Sequence, residues 1–195
     1  MDNELIRNRD QLIEATRVLH EEVAGGTWPG ALNLGSGDKL LDGYQNIDPY
    51  APGAIADDQV TLQTIQDDSS SLIYSSHAIE HSGHRKTIKA LKRWHAVLKT
   101  GGTLFISLPN LDLNMLAMLT AVTREQRDWY RYTIFGYQAL QNNPEIDCRG
   151  EYHLCGYNLQ EFGEMLKDSG FEVQESYNYE GWGTWGMFFR CLKNV

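Results

Sequence analysis

Apolar residues follow two rhythms along this chain. Short runs of strand length occur at Ala31-Leu-Asn-Leu, Tyr44-Gln-Asn-Ile-Asp, Ser71-Leu-Ile-Tyr-Ser-Ser and Thr103-Leu-Phe-Ile-Ser-Leu. The last is continuous and apolar, which suits a strand covered on both faces. Ala54-Ile-Ala reads as a weak further strand, third in chain order. Helical spacing appears between these runs. Arg85 to Leu98 places Ile88, Leu91, Trp94, Val97 and Leu98 on one face, and Gly101-Gly102 is the expected stop. Leu5, Ile6, Leu12, Ile13, Val18 and Leu19 form another stripe, which predicts an N-terminal helix within 1–26 that ends before Gly25-Gly26. Strands alternating with helices predict a parallel α/β sheet.

The second half changes character. Leu111 to Leu140 reads as a helical insertion, with one helix near Leu113–Val122 and another near Arg124–Leu140. Asn142-Asn143-Pro144 begins a loop. Asn158 is placed to cap a helix over Leu159–Lys167, stopped by Ser169-Gly170. Phe171–Ser176 and Met187–Leu192 read as strands, joined by the turn EGWGTWG. No repeat and no Pro/Gly/Ser-rich linker appears, so one domain is expected over 1–195. Its parts are the N-terminal helix (1–26), a first half (27–110), the insertion (111–150) and a C-terminal helix with strands (151–195).

The net charge of −9 repels phosphate backbones and disfavours broad nucleic-acid binding. Cys148, Cys155 and Cys191 are odd in number and form no CxxC pair. That argues against a disulfide scaffold or zinc knuckle and suits a reducing, cytoplasmic compartment. No apolar run reaches the roughly 20 residues of a membrane span. The polar, charged start does not read as a signal peptide.

Candidate chemistry concentrates in LNLGSGDKLLDGYQNIDPY, Leu32 to Tyr50. Glycines directly after a first strand let a ligand approach the backbone, and Gly35 and Gly37 stand there. An acid ending the second strand can accept from two ribose hydroxyls, and Asp48 stands there. The stretch suggests an adenosine-type ligand; a tight turn and a capping aspartate are the bland alternative. The dinucleotide fingerprint G-x-G-x-x-G/A is broken by Leu40, which counts against a nicotinamide-dependent oxidoreductase, and no GK[ST] of a P-loop occurs.

Taken in order, LNLGSG, NID, ADDQVTLQTIQDDSSSLIYSSHAIEH, LKRWHAVLKTGGTLFISLPN and EYHLCGYNLQEFGEMLKDSGFEV resemble the class I S-adenosylmethionine-dependent methyltransferases, over about Ala31 to Val173. Within them the chain looks like the small type with a shortened first connection. The resemblance implies a Rossmann-like α/β fold: a mostly parallel seven-stranded sheet, its last strand antiparallel, helices on both faces, and a helical insertion after the fifth strand. It implies S-adenosyl-L-methionine as cofactor. It implies methyl transfer to the oxygen or nitrogen of a small-molecule or sugar-containing acceptor. A non-catalytic binding protein of the same fold is the alternative. Asn33 stands where the family usually carries Asp or Glu, Lys39 where a third glycine is common, and Thr100 where proline is common. The 111–148 segment matches no family pattern.

On that resemblance Asn33, Gly35, Ser36, Gly37 and Asp48 would hold the methionine and ribose parts of the cofactor. Asp57 or Asp58 would meet the adenine amino group, with a solvated acidic turn as the alternative. Ser76 and His77, ending a strand, would lie near the methyl group. His77 and His153 are the candidate catalytic bases, because histidine titrates near neutrality. His81, Tyr157 and Trp182 would line the acceptor site, although the aromatics suit a core equally well. Glu80 is explained as a favourable acid in a first helical turn, and His84 and His95 as surface or structural residues. His77-x3-His81-x2-His84 has helical spacing but no cysteine or clear third-strand acid beside it, so no metal is expected.

Overall fold

The computed structural model describes residues 29–136, 152–181 and 183–194. The expected N-terminal helix, the end of the second insertion helix, Cys148 and Trp182 lie outside them. Strands β1 (Leu32–Leu34), β2 (Gln45–Ile47), β3 (Ser70–Ser76), β4 (Leu98–Pro109), β5 (Phe171–Gly181) and β6 (Thr184–Lys193) form a sheet of order β2-β1-β3-β4-β6-β5. The first four run parallel, and β6 is antiparallel to both neighbours. The β1 termini of this order, with β2 on one side and β3 on the other, make a topological switch point, where α/β sheets bind ligands.

The sheet has six strands where seven were expected. The third is reduced to one parallel bridge between Ile47 and Ile55. Pro49, Pro52 and Gly53 bend the approach to it, and proline offers no N–H for a ladder. β5 and β6 extend well past the apolar runs that announced them. Their turn is correspondingly shorter, with Gly181 pairing to Thr184.

Helix α1 (His84–Val97) packs Leu91, Trp94 and Val97 into the main core, as its stripe predicts. It ends before Gly101-Gly102: Leu98 caps it and is already the first residue of β4. The glycines instead lie where β4 bulges, between the pairs Ser70–Leu98 and Leu72–Thr103. Helices α2 (Leu111–Thr120) and α3 (Arg124–Phe135) form the insertion. Asn110 caps α2, and Thr123 with Gln126 forms a capping box on α3. Helix α4 (Leu159–Asp168) carries its expected Asn158 cap, which accepts from Glu161 N.

One face of the sheet buries Leu34, Ile73, Leu104 and Ile106 against α1 and α4 residues, including Leu91, Trp94, Phe162 and Leu166. The other face clusters Leu72, Phe105 and Phe188 with Tyr74, Tyr177 and Tyr179. The expected helical cover of that second face falls outside the described residues. Buried Asn114 fastens the insertion to β6, donating to Trp185 O at 2.6 Å and accepting from Trp185 N at 3.0 Å.

Candidate functional site

The chain leaves β1 through Gly35-Ser36-Gly37 and returns as β2, ending at Asp48. Gly35 N and Ser36 N both donate to Ile47 O, at 2.8 and 3.2 Å, so the turn is tied to the strand beside it. Both glycines have positive φ, 64° and 50°. They differ in what faces them. A Cβ on Gly35 would sit 2.3 Å from Ala78 Cβ, whereas one on Gly37 would meet nothing within 4 Å. Gly35 is therefore closed in by the protein, and Gly37 opens toward space.

Asp48 fixes the rim of that space. Its Oδ2 accepts from Gly37 N at 3.0 Å, and its Oδ1 from Tyr50 N and Ala51 N at 2.8 and 2.9 Å. A carboxylate offers about four lone-pair directions, so Oδ2 keeps an acceptor direction beside the open face of Gly37. Asn33 has a different role. Its buried amide donates to Lys39 O at 2.9 Å and Asn46 Oδ1 at 2.8 Å, holding the connection to β2 closed. Gln59, which the sequence did not single out, donates to Ala78 O and Ser82 Oγ. Its Oε1 is buried beside Gly35 and has no hydrogen bond.

The two aspartates after the Ile55 bridge separate sharply. Asp57 is buried and accepts from Asp58 N, Gln63 N, Thr64 N and Thr64 Oγ1. Those four donors occupy its acceptor directions. Asp58 is exposed and accepts from Val60 N at 2.7 Å, leaving its carboxylate open to solvent.

Burial raises the Asp57 pKa, but the bonds from Thr64, Gln63 and Asp58 outweigh it and hold the carboxyl below its ordinary value. A folded pKa below the unfolded one stabilises the fold above the unfolded value, and the gain disappears as pH falls through the folded value. Asp57→Asn should cost about 1–3 kcal/mol at pH 7. In urea melts its gap from the wild type should narrow as pH falls below the ordinary carboxylate range.

At the end of β3, Ser76 Oγ lies 2.8 Å from Ser107 Oγ, and His77 N donates to Ser107 O at 2.9 Å. His77 is a non-glycine residue with φ 50°, a backbone state that costs energy and recurs at functional positions. Its Nε2 lies 3.1 Å from Tyr179 OH, a partner 102 residues away. Burial pushes the Tyr179 phenol well above its ordinary value, so it stays protonated.

Glu80 and His81 occupy a separate 3-10 turn, Ile79–Ser82, and α1 begins only at His84. The Glu80 side chain is 2% exposed, and neither carboxylate oxygen has a hydrogen bond. His77 Nδ1 approaches its Oε1 to 3.6 Å and His153 Nε2 to 3.9 Å. Burial alone would raise the Glu80 pKa; His77, with His81 and His153, reverses this and holds it low. Burial pushes His153 below its ordinary value, against the pull of Glu80.

Residues 152–157 thread from the end of α3 past this cluster. His153 N donates to Phe135 O, Leu154 N and Cys155 N donate to Glu80 O, and Leu111 N donates to Tyr157 O. His81 Nδ1 lies 3.0 Å from Tyr152 O, and the His81 and His153 rings meet edge-on at 4.8 Å. A small pocket opens here, bounded by Glu80, Pro109, Asn114, Thr133, His153 and Cys155. Tyr157 is not in its wall. That side chain is 1% exposed and packs on Phe162 in the main core.

The geometry thus gives two adjoining features at the carboxyl ends of β1–β4: a glycine rim with an aspartate acceptor, and a histidine–glutamate cluster under the insertion. A family model described as a methyltransferase domain matches residues 25–176. No curated protein matches in sequence.

Solved structures match in fold. A Burkholderia thailandensis 1,6-didemethyltoxoflavin-N1-methyltransferase, with bound 1,6-didemethyltoxoflavin and S-adenosylhomocysteine, is 14% identical over 96% of this chain and 80% of its own, with a TM-score of 0.62. A Methanosarcina mazei S-adenosylmethionine-dependent methyltransferase is 16% identical over 91% and 97%, with a TM-score of 0.60. The N-methyltransferase NodS from Bradyrhizobium japonicum, with S-adenosylhomocysteine, is 14% identical over 99% and 92%, with a TM-score of 0.58.

Proposed function

This chain belongs to the S-adenosylmethionine-dependent methyltransferases, and from that premise we propose that it methylates an oxygen or nitrogen of a small-molecule or sugar-containing acceptor in the cytoplasm. The observation that carries the cofactor site is the pairing of Gly37 with Asp48. The backbone there is open on one side, and the acid beside it keeps a free acceptor direction. Gly35, Ser36, Gly37 and Asp48 would hold the methionine and ribose parts, with Asp58 toward the adenine and Ser76 and His77 toward the sulfonium. Asn33 would act indirectly, by keeping the loop closed. Gln59 Oε1 is a further acceptor beside the loop.

Bound S-adenosylmethionine supplies an electrophilic methyl group, and the protein supplies position and electrostatics. Of the two candidate bases, His77 is the better placed to meet an acceptor: its side chain is 34% exposed and that of His153 13%. Tyr179 orients the His77 ring. A net charge of −9 supports a small acceptor over a nucleic acid. No described helix is long and apolar enough to cross a membrane.

The test is conversion of S-adenosylmethionine to S-adenosylhomocysteine, read by mass spectrometry across hydroxyl, amine and sugar-containing acceptors. Turnover is expected with at least one of them. For a hydroxyl acceptor, His77→Ala should lower kcat by roughly 100-fold or more, the usual contribution of a positioned base. Cofactor binding with no turnover across the whole set would leave the non-catalytic alternative standing.

A further inference from the structure

We infer that Glu80, His81 and His153 form a binding site for a divalent transition-metal ion of the zinc type, at the wall of the pocket under the helical insertion. One donor atom from each of the three lies within 4.8 Å of the others. His153 Nε2 and Glu80 Oε1 are already at 3.9 Å. Donors around a tetrahedral centre with bonds of about 2.1 Å stand roughly 3.4 Å apart, so side-chain adjustments of an ångström close the set. Two imidazoles and one carboxylate are a common donor set for such ions.

Three observations point to a cation. Glu80 is buried to 2% and both its oxygens lack a hydrogen bond; a buried carboxylate without donors is costly unless a cation meets it. His81 Nδ1 faces the Tyr152 carbonyl at 3.0 Å. A carbonyl can only accept, so that nitrogen donates to it. His153 is likewise hydrogen-bonded to the Thr133 backbone. Ring nitrogens tied to backbone oxygens are the usual outer support of metal-binding histidines. Finally, the peptide groups of Leu154 and Cys155 donate to Glu80 O, so the segment carrying His153 is fixed against the turn carrying the other two donors.

Sequence spacing pointed elsewhere, to His77, His81 and His84. His84 is absent from the cluster and leans on Tyr157, and the missing donors are Glu80 and a histidine 72 positions after His81. Three protein donors leave a coordination position open to an oxygen or nitrogen from the pocket. The site stands independently of the cofactor reading, because Gly37 and Asp48 take no part in it.

Tag-free full-length protein, treated with chelator and dialysed, is titrated with Zn2+ alone by calorimetry and with Co2+ by visible absorption. One ion per chain is expected, with the ligand-field bands of a four- or five-coordinate Co2+ centre. Affinity should fall by at least about 100-fold in His153→Asn and in Glu80→Gln, beyond the 10- to 100-fold typical of an outer-shell loss. It should be unchanged in His84→Ala and Asp48→Ala. Circular dichroism shows which variants are folded, and His81→Asn replaces any that is not. Failure of the native protein to bind a stoichiometric ion, or equal binding by folded His153→Asn, overturns the site. Loss of cofactor binding in Asp48→Ala with zinc binding intact separates this result from the methyltransferase reading.

Discussion

Asp48→Ala should weaken S-adenosylhomocysteine binding by at least about 10-fold, because a hydrogen bond to a charged acceptor is worth roughly 1.5–3 kcal/mol. Two effects act together. The variant loses the acceptor direction that Oδ2 keeps beside Gly37. It also loses the bonds from Gly37 N, Tyr50 N and Ala51 N that shape the rim. Asp48→Asn separates them. An asparagine keeps one oxygen for Tyr50 N and Ala51 N but gives up the charge and the acceptor for Gly37 N, so it should lose less stability than the alanine variant while affinity falls as far. If Asp48 were only a capping residue, affinity would follow stability in both variants. Calorimetry with urea melts on the same preparations distinguishes the two.

Gly35→Ala should be the most destabilising single change in the cofactor loop, at about 2–5 kcal/mol. Left-handed backbone costs an alanine roughly 1–2 kcal/mol, and forcing a methyl into a filled site adds about 1–3 kcal/mol. The added Cβ would stand 2.3 Å from Ala78 Cβ, on the turn that leads to Glu80, with Gln59 Oε1 at 3.3 Å. Ala78 Cβ cannot rotate away, and the Gln59 amide is held by its bonds to Ala78 O and Ser82 Oγ. Gly37→Ala carries a similar backbone penalty, roughly 1–2 kcal/mol, with no collision. Its new methyl instead enters the open side of the loop. The expected pattern is crossed: Gly35→Ala loses stability foremost, and Gly37→Ala loses cofactor affinity foremost, by about 10-fold or more, or 1.4 kcal/mol. Thermal melts and binding isotherms of both variants test it. Equal losses of both kinds would mean that the two glycines serve only the turn.

Local signals carried well from sequence to structure. The apolar stripe of α1, the Asn158 cap, the strand-ending glycines and Asp48 all depend on neighbours within a few residues, and each stands where its spacing put it. Signals that depend on the sheet did not carry. Gly101-Gly102 looks like a helix stop, yet the helix ends at Val97 because Leu98 is already extended in β4. Asp57 and Asp58 are adjacent in sequence, and only spacing to Leu62 favours Asp58 as the ligand contact. Folding buries one under four donors and leaves the other in solvent. Tyr157 was a plausible pocket residue by type, but its ring faces Phe162 in the core.

The histidine–glutamate cluster was the least legible part. Glu80 has a sufficient local explanation as an acid near a helix start. Its actual environment is made by His153 and by backbone groups of residues 154 and 155, brought over by the insertion. Tyr179 reaches His77 from the far hairpin. Such contacts have no period or motif in sequence, because sheet order alone makes them neighbours.

The most direct measurement is calorimetric titration of the native protein with S-adenosylhomocysteine. One saturable site per chain is predicted, with Kd below about 1 mM, the upper end of usual enzyme affinities for substrates. A folded protein that releases no saturable heat with this ligand or with S-adenosylmethionine would contradict the cofactor site, and the glycine loop would then be a turn of the fold and nothing more.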